Sequence, residues 1–110
     1  MATILVIDDD ELVSRTLQRA LKMYEHQVMT ASSGIEGLQL ARRHRPDLFI
    51  LDIMMPGVDG YQVCRQIRGD PLLKELPVLF HLIEQLQYQW ILVVNILKSV
   101  WQIFINKPQE

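Results

Sequence analysis

Two apolar runs in this chain stop abruptly on acids. "ILVI", residues 4–7, ends at Asp8, Asp9 and Asp10, and "LFIL", residues 48–51, ends at Asp52. A strand that only filled a core would gain nothing from a carboxylate at its tip. If the two tips are neighbours, Asp8, Asp9 and Asp52 meet in one shallow cleft. Three anions that close repel, and the repulsion raises at least one pKa. A hard divalent cation removes the penalty, and Mg²⁺ takes oxygen ligands: one or two carboxylates, a carbonyl and several waters. The plainer explanation is helix capping, because acids suit a helix N-terminus. Capping accounts for Asp10. It leaves two acids facing Asp52 unexplained.

Other reactive side chains offer less. Pro56 and Gly57 behind Asp52 are ordinary turn formers, and Met54 and Met55 can be plain packing groups. The single cysteine, Cys64, excludes an internal disulfide and sits among helix-spaced apolar residues, which fits a buried thiol. His26, His44 and His81 show no ligand spacing along the chain. "ARRHRPD" reads as the solvated end of a helix. With 22% charged residues and a net charge of -2, the scattered basic residues leave no nucleic-acid footprint. The N-terminus turns acidic after four apolar residues and has no basic leader, so a cytoplasmic protein is expected.

The elements that position the acids alternate. After the first strand, Glu11–Met23 carries Leu12, Val13, Thr16, Leu17, Ala20 and Leu21 on one helical stripe. "QVMTA" reads as a second strand. "SSGIEGLQLARRH" opens with a capping box, Ser33 and Glu36, and stops before Pro46. "LFIL" is the third strand, "GYQVCRQIR" the third helix and "LPVLF" the fourth strand. Such alternation implies βαβ units and a parallel sheet covered by helices on both faces. Ligands then gather beyond the carboxyl ends of the strands, at the switch point of the winding. The acids stand at those ends.

"ILVIDDD" followed by "LDIMMPGVDGYQV" closely resembles the receiver domains of two-component response regulators. The second motif, D-x-M-M-P-x-x-D-G after an apolar strand, is the specific one, and the likeness holds over residues 1–80. It implies an α/β, flavodoxin-like fold: a doubly wound, parallel five-stranded sheet of order 2-1-3-4-5 in one domain, residues 1–110. It implies a signalling module rather than an enzyme, with Asp52 as phosphoacceptor taking a phosphoryl group from a histidine kinase or phosphotransfer protein. Asp9 and Asp52 would hold Mg²⁺ with the backbone carbonyl of Met54, and Asp8 would act through water. A phosphatase of the haloacid dehalogenase kind would need a second acid two residues after the nucleophile, where this chain has Met54.

Beyond residue 80 the likeness loosens. Receivers end the fourth strand with a serine or threonine that bonds the phosphoryl group, and Leu82 stands there. Residues 81–103 are far more apolar than the family's fourth helix. "FINKP", residues 104–108, resembles the end of a fifth strand, with Lys107 as the phosphate-facing ammonium and Phe104 as the switching aromatic. The pattern shows no fifth helix before Glu110. The apolar segment Trp90–Ile105 must therefore pair with a second copy as a homodimer, fold back over the sheet, or lie on a membrane surface. It is too short and too polar for a span, which needs about 20 apolar residues. A second function thus stands beside the phosphorelay: a receiver-shaped interaction module whose phosphorylation is lost or uncoupled and which assembles through residues 90–105.

Overall fold

The computed structural model describes residues 2–81 and 89–105. Four strands and four helices alternate: β1 (Thr3–Ile7), α1 (Glu11–Lys22), β2 (Gln27–Ala31), α2 (Gly34–His44), β3 (Leu48–Asp52), α3 (Gly60–Gly69), β4 (Val78–His81) and α4 (Gln89–Ile105). The strands are parallel and lie in the order β2-β1-β3-β4. The chain winds outward from β1 to β2, then crosses back to β3 and β4. The switch point falls between β1 and β3, the two strands that end in acids.

The sheet is buried on both faces, which is why β1 and β3 read as unbroken apolar runs instead of alternating ones. Leu5, Ile7, Phe49 and Leu51 point to one side, against Leu38 and Ala41 of α2 and Val63 and Ile67 of α3. Ile4, Val6, Leu48 and Ile50 point to the other, against Val13, Leu17 and Leu21 of α1 and Ile96 and Val100 of α4. All eight strand residues have no exposed surface.

Local signals set the helix ends. Asp10 caps α1, its carboxylate accepting from the backbone N–H of Leu12 (2.9 Å) and Val13 (3.4 Å). Ser33 caps α2 through the Glu36 N–H at 3.2 Å. The Glu36 carboxylate reaches one residue further back than a capping box requires, to the N–H and hydroxyl of Ser32. A full capping box does form at α3, between Asp59 and Gln62. Helix α2 stops before Pro46 with Arg45 in the left-handed region, φ 46°.

Of the strand expected at 104–108, Phe104 and Ile105 instead continue α4, residues 106–108 lie outside the described residues, and the described residues hold a sheet of four strands. Between Trp90 and Ile105 there is no glycine or proline to break a helix, and Ile96, Val100 and Ile103 recur at helical spacing on the side facing the sheet. Lys107 and Leu82 lie outside the described residues.

Helix α4 folds back and packs beside α1, so its apolar stripe covers the sheet of its own chain. Among the described residues no helix is long and apolar enough to cross a membrane.

Candidate metal and phosphoacceptor site

Strand register assembles the site. Ile7 pairs with Leu51, and Asp52 with His81. Asp8 follows Ile7 by one residue, so Asp8, Asp52 and His81 form a row across the carboxyl edge of three adjacent strands. Side chains alternate along a strand, so all three follow Val6, Ile50 and Leu79 to the α1/α4 side. Asp9 enters from the loop behind Asp8 and is exposed. One carboxylate oxygen each from Asp8, Asp9 and Asp52 lie within 4.8 Å of one another.

Asp8 and Asp52 are nearly enclosed, at 3% and 7% exposure. Asp8 Oδ1 accepts from the Asp10 N–H at 2.8 Å, and Asp52 Oδ1 from the Met54 N–H at 3.1 Å. Burial, and then the charge of Asp8, push the Asp52 carboxyl from 3.8 up to about 7; the Met54 N–H and His81 pull the other way without cancelling this. The row therefore carries more negative charge than its protein surroundings neutralise. Asp8 Oδ2 is buried, with the His81 ring beside it at 3.0 Å. Hard oxygen donors and uncompensated charge together fit a small divalent cation.

The loop after Asp52 needs its glycines. Gly57 adopts φ +78°, which a side chain disfavours. Gly60 opens α3 so close to β3 that a Cβ there would strike the backbone carbonyl oxygen of Asp52. Its N–H also donates to the Ile53 carbonyl at 3.2 Å. These contacts hold α3 and the loop against the strand end. A shallow cleft lined by Asp9, Met54, Pro56, Asp59 and Tyr61 opens beside the acids, and Met54 is largely exposed there.

The sequence profile of the "Response regulator receiver domain" family matches residues 4–109. The chain belongs to that family. Receiver relatives match it over somewhat under three quarters of its length. The transcriptional regulatory protein AfsQ1 of Streptomyces coelicolor is 48% identical over 79 residues, covering 72% of this chain and 34% of that protein. The response regulator PleD of Caulobacter vibrioides is 44% identical over 78 residues, 71% of this chain and 17% of PleD. This receiver thus spans about a third or less of these relatives' length. Among solved structures, a putative response regulator from Chloroflexus aurantiacus is 40% identical with TM-score 0.70, over 72% of this chain and 65% of that one. The receiver domain of a signal transduction histidine kinase from Syntrophus aciditrophicus is 25% identical with TM-score 0.83, over all of this chain and 96% of that one. The fold is the flavodoxin-like receiver fold.

The expected site residues fall into three groups. Asp8, Asp9 and Asp52 converge. Met54 lies directly behind Asp52, tied to it through its N–H. Phe104 belongs to a helix, and Lys107 is outside the described residues. His81 was not foreseen. Its ring is 1% exposed, and its Nε2 stands 3.0 Å from Asp8 Oδ2. Ligand spacing along the chain could not reveal it, because strand pairing is what brings it in. The usable signal was position: β4 ends at His81, two residues past Leu79, beside the end of β3.

Proposed function

We propose that this receiver domain accepts a phosphoryl group on Asp52 from a histidine kinase or phosphotransfer protein, with Mg²⁺ held by Asp9, Asp52 and the Met54 backbone carbonyl, and with Asp8 acting through water. The observation that carries this reading is the convergence of Asp8, Asp9 and a buried Asp52 at the switch point of a receiver sheet. When bound, the cation neutralises the acids and the charge spread over the phosphoryl oxygens.

The chain's own groups do the rest. Asp52 must be ionised to attack: one carboxylate oxygen bonds to phosphorus while the phosphorus–nitrogen bond of the donor phosphohistidine breaks, leaving an acyl phosphate and a free imidazole. An Asp52 carboxyl pushed up to about 7 is partly protonated at neutral pH, so neutralising the cleft also readies the nucleophile. The Met54 N–H fixes the carboxylate rotamer, and Gly60 keeps the loop close to the strand. Carboxylates are weak nucleophiles, so the step relies on positioning and charge neutralisation. Lys107 is assigned the phosphoryl contact by its family position. The site belongs to a cytoplasmic signalling module and is not that of a turnover enzyme.

Incubation with acetyl phosphate and Mg²⁺, followed by mass spectrometry, should add one hydroxylamine-labile phosphoryl group to the wild type. The same addition to Asp52→Asn would show that the acceptor is another residue. The uncoupled reading is favoured by Leu82, which offers no hydroxyl for the phosphoryl group to draw. Phosphorylation that leaves the amide NMR shifts of β4 and α4 unchanged would support it.

A further inference from the structure

His81 has no part in the receiver chemistry above, yet its side chain reaches into the site. It is paired with Asp52 across β3 and β4, while Asp8 ends the strand on the other side of β3. Adjacent strands lie about 4.8 Å apart, so the backbones of Asp8 and His81 are separated by about twice that. Their side chains close the gap. Nε2 of His81 stands 3.0 Å from Oδ2 of Asp8, and the two side chains are 1% and 2% exposed. The pair therefore spans the tip of β3, where Asp52 stands. A packing group could be leucine at no cost, whereas burying an imidazole costs free energy unless it meets a polar partner.

The bridge completes the hold on Asp8. Its Oδ1 accepts from the Asp10 N–H at 2.8 Å, and His81 faces its Oδ2. The terminal torsion of an aspartate is broad and roughly two-fold, so a carboxylate held at one oxygen alone can turn. Held at both, it keeps one orientation toward Asp9 and Asp52, which each have an oxygen within 4.8 Å of it. The backbone from which the ring reaches is fixed in turn. His81 lies in the β3–β4 ladder, and its carbonyl accepts from the Ile53 N–H at 3.1 Å.

We propose that His81 is a positioning residue for phosphoryl transfer: by holding Asp8 Oδ2 it fixes the orientation of the carboxylate beside Asp52. The proposal rests on the reading of Asp52 as phosphoacceptor and adds the residue that orients its neighbour. His81 acts only through Asp8. The ring N–H at Nε2 makes the contact, and a neutral ring suffices. Partners that orient the groups around a reacting centre commonly matter about tenfold or more, because small misplacements are costly there.

The test uses three replacements that differ in reach. Gln can place an amide N–H near the position of Nε2, Asn places it short, and Leu fills the space without a donor. In the metal-free protein, hydrogen exchange of the Asp10 amide reports whether Asp8 Oδ1 stays in place. It should quicken about tenfold or more in His81→Leu and His81→Asn, and stay near the wild-type rate in His81→Gln. With acetyl phosphate and saturating Mg²⁺, the initial rate of Asp52 phosphorylation should fall about tenfold in the same two variants and be kept in His81→Gln. In an Asp8→Ala background, His81→Leu should cost nothing further. Wild-type exchange and rate in His81→Leu would overturn the inference and leave His81 as a packing group. Equal losses in all three variants, a further loss in Asp8→Ala, or faster exchange with an unchanged rate would overturn it as well. A wild type that takes no phosphoryl group on Asp52 would instead sink the phosphoacceptor reading, and this inference with it. If His81→Leu fails to fold, the comparison of His81→Gln with His81→Asn decides the matter.

Discussion

The two faces of the sheet are closed by different helix pairs. On one, Leu38 and Ala41 of α2 and Val63 and Ile67 of α3 interlock with Leu5, Ile7, Phe49 and Leu51. On the other, α1 is joined by α4, the helix that follows the last strand. Ile96 and Val100 are enclosed there too, at 5% and 1% exposure. Covering a sheet face needs an apolar stripe at helical spacing and a connection long enough to bring it there, and little more. The acidic row looks toward the face closed by α1 and α4.

The sharpest way to break this equivalence is to cut equal cavities on both faces. Ile96→Ala should destabilise the protein by about 2–5 kcal/mol in urea unfolding, the same range as Ile67→Ala. A loss well under about 1 kcal/mol at Ile96, beside a full loss at Ile67, would mean that α4 rests on the sheet without closing it.

The acidic row comes next. An acid whose folded pKa lies above its unfolded one holds protons more tightly when folded. Its contribution is therefore complete below about pH 4 and declines as pH rises toward about 7. For the metal-free protein, the stability of Asp52→Asn relative to wild type should thus grow between pH 4 and pH 7, by up to a few kcal/mol. A flat difference would mean that Asp52 is not electrostatically frustrated. Saturating Mg²⁺ should remove most of the growth.

Cation binding itself should be smaller in effect. A site with so few protein ligands is expected to bind Mg²⁺ at roughly millimolar Kd, and tenfold that concentration would add about 1.4 kcal/mol to unfolding. Amide NMR shifts at Asp9, Met54 and Gly60 should titrate in the wild type and stay still in Asp52→Asn. Equal responses in both would move the ion elsewhere.

The least effect belongs to the outer side of α4. Trp101 is 66% exposed and Val94 39%, so Trp101→Gln should change stability by less than about 0.5 kcal/mol. Sedimentation at micromolar concentration tests the other use of this surface. A wild-type dimer that Trp101→Gln dissociates would show that residues 90–105 cover the sheet inward and pair with a second copy outward.

Most of the framework was legible from residue order alone. Apolar runs with no alternation announced strands buried on both sides, and caps such as Asp10 and Ser33 marked helix starts within a residue. The acids at the tips of β1 and β3 pointed to the site, because parallel winding leaves few places for them to go. Gly57 could be read as a turn former, and the resemblance gave Gly60 a part in shaping the loop behind Asp52, without the contact that fixes it there. Only the contact with the Asp52 carbonyl makes Gly60 indispensable to it.

The second half of the chain was harder because its local signals agreed with more than one outcome. Phe104 and Ile105 suit a strand as well as a helix, and the family's lysine–proline pair just beyond them argued for the strand. An unbroken apolar stretch facing an uncovered sheet decided for the helix. Sequence by itself determined which segments are apolar, where they start and stop, and that carboxylates stand at two strand ends. Tertiary structure alone decided which distant residues share a row. His81 lies 29 residues beyond Asp52 in the chain and beside it in the sheet, because hydrogen-bonded register, which no local pattern encodes, carries it there.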